Sequence, residues 1–306
     1  MKERLISFFL FLSALVSIAS LAIITFFIFQ AGLPLIFRVG LSDFLFSSMW
    51  NPSAKTPSFG IGAMILGSVW VTLGAIMVGV PLGLAVAIFS AEIAPPRLAM
   101  LIRPVIQLLA GIPSVIYGFI GLTILSPLIR STFGGPGLSV LTAALILGIM
   151  ILPSIISISE DALRAVPLAY RDGSLAVGAT HWQTIWRVLV PAARSGIVAS
   201  VILGMGRALG ETMAVIMMLG NALQIPRSPL ESATTLTSNI GLELAYASGA
   251  HREALFATGV VLFMLIMLLN ILANVLTGRV TFWQRWIAYR PPVAARRATT
   301  SARRNP

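Results

Sequence analysis

The chain has 306 residues, of which 57% are hydrophobic and only 10% are charged, and its formal net charge is +11. Soluble domains carry about 25% charged residues, so this composition excludes an ordinary soluble domain and indicates a membrane protein. The sequence contains no cysteine. Disulfides, thiolate metal sites and cysteine nucleophiles are therefore excluded within it.

Long apolar runs without charges recur along the chain, and each exceeds the roughly 20 residues that a helix needs to cross a bilayer. They do not alternate in polarity, which favours helices over the strands of a membrane barrel. The first run extends from Leu5 to Phe29. It is longer than the apolar core of about 7–15 residues in a secretory signal, and we interpret it as a retained span. The predicted fold class is all-α and polytopic, with six spans at about 5–30, 61–90, 105–129, 137–159, 195–220 and 255–278.

This pattern divides the chain into three parts. Residues 1–60 hold the first span and the first outer loop, and residues 61–280 form a core of five spans. The outer loop between the last two spans is expected to contain a short helix around Pro229–Asn239. The basic tail, 281–306, lacks apolar periodicity and is expected to be disordered. It could contact anionic lipid headgroups or serve only to fix the topology.

The basic residues predict the orientation of the chain. With the N-terminus inside, 15 of the 21 Lys and Arg residues fall in inner segments and five fall in outer segments. The positive-inside rule therefore predicts that both termini are cytoplasmic. The net charge then reflects topology, and nucleic acid is not an expected partner. His181 and His251 fall in opposite loops, where we expect exposed side chains and no shared metal site.

A polar segment from Glu160 to Pro191 separates two apolar runs. A glycine at 178 would permit a turn with positive φ between two short helices. Beyond it, Trp182, Ile185 and Trp186 have the spacing of one helix face. Such a face can occupy a groove on a partner protein. The alternative is an amphipathic helix that lies on lipid.

Two charges, Arg207 and Glu211, interrupt the next apolar run, and this position predicts that both are deeply buried. A charge inside a membrane helix is costly unless it is paired or faces water. The two residues are one helical turn apart, so they could pair. We interpret them as part of a path for a polar substrate, and the alternative is a static ion pair. Ser114 and Tyr117 lie in a Gly- and Pro-rich part of the third span, and they are candidate cavity-lining residues, with close helix packing as the alternative.

The polar segment resembles the cytoplasmic signature of ABC importer permeases, which is Glu-Ala-Ala, three residues, Gly, nine residues and Ile-x-Leu-Pro. Asp172 stands in place of the Glu, and Gly178 and Pro191 have the expected offsets. Gly173 and Ser174 replace the two alanines, and valines replace Ile and Leu.

Three further segments make the resemblance more specific. They are GIPSVIYGF, SISEDALRAVP and GMGRALGETMAV, beginning at Gly111, Ser157 and Gly204. They resemble the phosphate-specific importers, and most of all their PstC-type permeases. The sister PstA-type subunit more often reads Gly-Glu-Thr-Ala-Pro where this chain has Met213 and Ala214 after Thr212.

The resemblance implies a type I importer permease in a bacterial cytoplasmic membrane, which is not itself an enzyme. The implied partners are a PstA-type permease, two copies of an ATPase and a periplasmic phosphate-binding protein. It implies that Arg207 and Glu211 take part in phosphate transport, and we group the adjacent Thr212 with them. The segment 172–191, including Trp182, would couple to the ATPase.

ATP and Mg²⁺ would bind to the ATPase, and no cofactor is expected in this chain. Neither of its two lysines, Lys2 and Lys55, lies in a phosphate-binding loop of the Gly-x4-Gly-Lys-Ser/Thr type. Alternatives are a permease for molybdate or sulfate, and a membrane sensor or scaffold in phosphate signalling. A membrane-embedded enzyme is disfavoured because no catalytic constellation appears in the spans.

Overall fold

The computed structural model describes residues 2–276, and most of that range is helical. The helices are α1 Lys2–Val39, α2 Leu41–Phe46, α3 Gly62–Ile88, α4 Pro96–Gly111, α5 Ser114–Ile120, α6 Ser126–Phe133, α7 Val140–Arg164, α8 Leu168–Ala176, α9 His181–Thr184, α10 Val190–Ala192, α11 Arg194–Gly210, α12 Met213–Met218, α13 Leu236–Glu243 and α14 Gly249–Leu276. Single π-helical segments continue three of these helices, namely Phe89–Ile93 after α3, Gly121–Leu125 after α5 and Ile185–Leu189 after α9.

Five of these helical stretches are long and apolar enough to cross a membrane. They are Ile6–Val39, Gly62–Ile93, Ser114–Phe133, Val140–Arg164 and Gly249–Leu272. A sixth candidate is α11 joined to the helical segment before it, with a bend of 69° between them. The predicted all-α membrane fold is confirmed, apart from a small antiparallel hairpin of β1 (Trp50–Asn51) and β2 (Ser58–Phe59) in the first outer loop.

The third predicted span, 105–129, is wrong in its limits. Helix α4 ends at Gly111, Ile112 has an extended backbone, and the span itself begins at Ser114. Proline disfavours a helical conformation in the residue before it and has no N–H to donate, so Pro113 explains the break. Helix α4 is instead a mostly exposed helix, in which Ile106 is the buried residue.

The fifth predicted span, 195–220, is also not one helix. Helix α11 ends at Gly210, and Glu211 has an extended backbone with φ −69° and ψ 129°. Helix α12 resumes at Met213. The short outer helix was predicted around 229–239, and the structure places it slightly later, as α13.

The core of the protein is formed where α3 packs along α7, with α11 beside both. Small residues permit the close approach of these helices. A Cβ atom added to Gly79 would lie 2.8 Å from the carbonyl oxygen of Gly148, which is closer than packing tolerates. Buried aliphatic side chains fill this core, including Leu147, Ile151 and Met218.

Helix α1 packs on α14. A Cβ on Gly32 would approach the Ala257 nitrogen to 2.7 Å, and the rings of Phe27 and Phe256 meet edge to face. The first half of α1 exposes most of its apolar side chains. The division of the chain at 60 stays a prediction, and the boundary at 280 and the tail 281–306 lie outside the described residues.

Candidate functional site

The break between α11 and α12 determines the surroundings of Glu211. Its Oε1 accepts a hydrogen bond of 3.2 Å from the backbone N–H of Ala214, so the carboxylate caps the first turn of α12. A carboxylate at this end of a helix is favourable because the N-terminal N–H groups lack helical partners. The expected ion pair between Arg207 and Glu211 is absent from the ion pairs among residues 2–276. That pairing prediction is wrong because the helix ends between the two residues.

Arg207 lies in the last turn of α11 and its side chain is exposed. A Cβ on Gly206 or on Gly210 would meet no atom within 4 Å, so the surface on both sides of this arginine is open. Glu211 is half-buried. The expectation that both charges are deeply buried is therefore wrong for the single chain, and the guanidinium is available to a ligand or to another polypeptide.

Helix α5 brings the candidate cavity residues to the same region. A Cβ on Gly118 would lie 2.9 Å from the Cα of Ala214, so α5 and α12 are in close contact. Tyr117 is buried, and its hydroxyl donates a 2.8 Å hydrogen bond to the carbonyl of Leu109 across the break before α5. Ser114 is half-buried at the start of α5. The cavity-lining role of Ser114 and Tyr117 stays a prediction.

The outer-loop helix α13 contacts the break and was not assigned to the site from the sequence. Thr237 donates a 2.8 Å hydrogen bond from Oγ1 to the backbone carbonyl of Glu211. Thr212 contacts the same helix, since a Cβ on Gly241 would lie 2.7 Å from its Cγ2. The hydroxyl-rich sequence SATTLTSN from Ser232 could have indicated a polar contact.

The polar segment forms two short helices joined by a tight turn, as predicted. Gly178 has φ +83°, a conformation that glycine adopts without strain. Thr180 and Gln183 form a reciprocal capping box at the start of α9. The hydroxyls of Ser174 and Thr184 lie 3.0 Å apart and connect the two helices. We call residues 168–192 the docking element.

The apolar residues of the docking element do not share one face. Ile185 is fully buried, whereas Trp182 and Trp186 are exposed and their rings meet edge to face with centroids 5.6 Å apart. Trp182 and Trp186 keep the common face that their i, i+4 spacing predicts, whereas Ile185 packs into the core with Leu163 and Leu189. The predicted three-residue face is therefore wrong for Ile185. Asp172, Gly173 and Pro191 are exposed. The outer surface of the element thus presents two indole rings and one carboxylate.

Buried charges occur elsewhere, at the ends of the spans next to the docking element. The Glu160 side chain is 3% exposed, and its Oε1 accepts hydrogen bonds from Arg164 at 2.9 Å and Arg103 at 3.2 Å. Glu92 pairs with Arg171 of α8. The burial of these two carboxylates was not predicted from the sequence, although Glu160 and Arg164 have the spacing of a helical ion pair.

Exposed side chains were expected for both histidines, and this expectation is wrong for His251. His181 is exposed, but His251 is largely buried, and its Nε2 lies 2.7 Å from Oε2 of Glu243. The indole N–H of Trp50 donates to the same carboxylate oxygen at 3.0 Å. No group of three or more His, Asp or Glu side chains suited to a metal ion occurs in the part of the chain that the structure describes.

A bundle of apolar spans with a two-helix polar element between two of them, and an exposed arginine beside a break in one span, defines a polytopic membrane permease. Comparison with known proteins gives the family. Residues 79–282 match the family of binding-protein-dependent transport system inner membrane components. The chain belongs to this family, and it is a multi-pass inner-membrane subunit of an ABC import system that works with an ATPase and a binding protein.

Individual relatives and solved structures agree with this assignment. The chain is 44% identical to the probable ABC transporter permease protein YqgH of Bacillus subtilis, over 87% of this chain and 88% of that protein. It is 39% identical to the phosphate transport system permease protein PstC of Mesorhizobium japonicum, over 78% and 79%.

Its fold is similar to that of a bacterial alginate ABC transporter, with a TM-score of 0.61 and 18% identity over 88% of this chain and 95% of that one. It is also similar to the MetNI methionine ABC transporter, with a TM-score of 0.57 and 23% identity over 70% of this chain and 93% of that chain. These two structures support the type I importer fold.

Proposed function

We propose that this chain is the PstC-type permease of an ATP-driven importer, and that it moves inorganic phosphate across the cytoplasmic membrane. The observation that carries the proposal is Arg207, an exposed guanidinium on an open surface within an apolar span. Relatives that are named as phosphate permeases support the choice of anion. Arginine suits an oxyanion because its planar fork of donors matches two oxygens at once.

Glu211 and Thr212 complete the proposed translocation site on this chain. The extended backbone at Glu211 is the kind of irregular segment that membrane proteins place beside a cavity and not against lipid. Because the carboxylate caps α12, it is held close to the anion path without neutralising the arginine. A second permease, of the PstA type, supplies the opposite wall of the path.

The docking element receives the movement of the ATPase. Trp182 and Trp186 form an exposed apolar pair of the kind that anchors protein interfaces. The fixed turn at Gly178 orients this pair relative to α8. ATP and Mg²⁺ bind to the homodimeric ATPase, and this chain needs no cofactor of its own.

The proposed topology places both termini and the docking element in the cytoplasm, as the distribution of basic residues favours. The hairpin of β1 and β2 and helix α13 then face the periplasm, where a phosphate-binding protein delivers the anion. Membrane lipids surround the outer faces of the spans.

Uptake of radioactive phosphate into vesicles that contain the complete importer tests this function. We expect Arg207→Lys to lose most uptake because it keeps the charge but loses the fork, and Glu211→Gln to reduce uptake because it weakens the cap on α12. Arg130→Lys, at an exposed arginine near the end of α6, is the matched control and should transport normally. Normal uptake by both site variants, or stimulation of the ATPase by molybdate or sulfate in place of phosphate, would reject the proposal.

A further inference from the structure

Glu92 is a buried charge that the proposed transport site does not use. It lies in the π-helical segment Phe89–Ile93, and its side chain is only 1% exposed. Its Oε2 accepts a hydrogen bond from Nη2 of Arg171 on α8. The other carboxylate oxygen of Glu92 and the Nε of Arg171 are buried and have no hydrogen-bond partner among the described residues. The buried carboxylate of Glu92 is therefore compensated by Arg171, whose own side chain is 32% exposed.

The position of this pair is unusual for helix α8. None of the residues of α8 is buried, so little apolar packing holds this helix to the rest of the chain. The Arg171–Glu92 contact is the ion pair that connects it to a membrane span, within residues 2–276. The next residue, Asp172, opens the signature of the docking element.

The same π-helical segment is tied to a second span. Arg164, at the end of α7, donates a 2.8 Å hydrogen bond from Nη2 to the backbone carbonyl of Ser90. The two best-packed spans of the core, α3 and α7, are therefore joined where α8 attaches. A movement of α8 would reach both spans at this point. Single π-helical turns inside longer helices often occur at functional sites.

We propose that the Glu92–Arg171 ion pair transmits the movement of the docking element to spans α3 and α7. This inference rests on the proposed coupling of the docking element to an ATPase. Glu92 and Arg171 are positioning residues, since neither contacts the substrate or the nucleotide. This ion pair suits such a role because separation from Arg171 would leave the buried carboxylate of Glu92 uncompensated in the interior, so the contact resists separation.

Coupling is measured in vesicles that contain the complete importer, as anion uptake per ATP hydrolysed. We expect Glu92→Gln and Arg171→Gln to lower this ratio by about tenfold, within the range of coupling between two sites. Both variants should reach the membrane in normal amounts. The exposed Arg97, near the same end of α3, provides the control variant Arg97→Gln, for which we expect an unchanged ratio. A normal ratio in both single variants would overturn the inference.

A reversible cross-link tests the connection itself. The chain has no cysteine, so Glu92→Cys combined with Arg171→Cys can be bridged by a short thiol-specific cross-linker without reaction elsewhere in this subunit. Without the cross-linker, the double-cysteine variant should be uncoupled. With the cross-linker bound, its ratio of anion uptake to ATP hydrolysis should return toward the wild-type value. If the cross-linked variant stays as uncoupled as the variant without cross-linker, the Glu92–Arg171 pair does not act as a mechanical link.

This experiment separates the inference from the proposed function. The ratio can be measured with whichever anion the wild-type importer carries. A wild-type importer that moves a different anion would contradict the phosphate assignment and leave the coupling result unaffected.

Discussion

The hydroxyl of Thr237 donates a 2.8 Å hydrogen bond to the backbone carbonyl of Glu211, 26 residues earlier in the chain. This carbonyl lies just beyond the end of α11, where no later residue continues the α11 hydrogen-bond pattern. Helix α13, in the outer loop, therefore holds the broken span in its extended form. The hydroxyl of Thr235 lies 3.0 Å from that of Thr237.

We expect Thr237→Val to impair transport because it removes this donor while it preserves the shape of the side chain. A fully buried carbonyl without its partner costs about 1–3 kcal/mol, and this partly buried one should cost less. Relaxation of the break should move Glu211 and raise the KM for the anion more than it lowers the maximal rate. Thr237→Ser keeps the donor and should restore the KM. The measurement is the kinetics of anion uptake. Identical kinetics for Thr237→Val and the wild type would contradict the proposed role of Thr237 in holding the break at Glu211.

Gly178→Asp should uncouple ATP hydrolysis from uptake while the subunit still reaches the membrane. The positive φ of this residue strains any L side chain, and the turn between α8 and α9 would distort. Gly173→Ala is the matched control because α8 is exposed there and a new Cβ meets no atom. It should stabilise α8, by about 1 kcal/mol on the helix-propensity scale. ATP hydrolysis and uptake are measured on the same vesicles, and normal coupling with Asp at position 178 would count against a docking role.

The two exposed tryptophans and the buried isoleucine between them should respond differently to truncation. Trp182→Ala and Trp186→Ala are expected to weaken binding of the ATPase and to leave the amount of folded subunit unchanged. Ile185→Ala removes a fully buried side chain, and large-to-small changes of this kind cost about 2–5 kcal/mol. It should therefore lower the amount of folded subunit. Copurification of the ATPase with the tagged permease measures the first effect, and size-exclusion chromatography measures the second. Full ATPase retention by both tryptophan variants would argue for a lipid-facing role.

Gly67→Ala should destabilise the subunit. The added Cβ would lie 2.2 Å from the carbonyl oxygen of Thr234, and a backbone atom cannot move aside as a flexible side chain can. Gly111→Ala is the control, since a Cβ added to Gly111 at the end of α4 would meet no atom within 4 Å. Thermal unfolding of the two purified variants checks this, and equal midpoints would show that the loop before α13 adapts.

The sequence predicted the features that depend on local chemistry. The apolar runs indicated most of the spans, and Gly178 indicated the turn. The docking role inferred from the spacing of Asp172 to Pro191 stays a prediction. The breaks at Ile112–Pro113 and at Glu211 were harder to predict. The mean hydropathy over a window of residues stays high across both breaks because the neighbouring residues are apolar. Pro113 nevertheless marks the first break in the sequence.

The contacts between distant segments could not be predicted. Thr237 reaches Glu211, and Arg171 reaches Glu92 over 79 residues, only because of how the helices pack. The common face of Trp182, Ile185 and Trp186 was wrong for Ile185 because this side chain packs into the core with Leu189 and with Leu163 of the distant helix α7. Burial of charge was assigned to Arg207 from its apolar neighbours in sequence, whereas the packed carboxylates are Glu92 and Glu160.

Arg207 lies about 20 Å along α11 from Arg194, at 1.5 Å per residue, and so well inside the hydrocarbon layer if α11 crosses it. A guanidinium at that depth cannot rest against acyl chains without a penalty of several kcal/mol. The ion pairs among residues 2–276 include none with Arg207, so an aqueous path or a polar surface of another subunit must face it. Discrimination among anions is then a shared property of two polypeptides, and an exchange of this subunit alone between importers of different specificity would not carry the specificity with it.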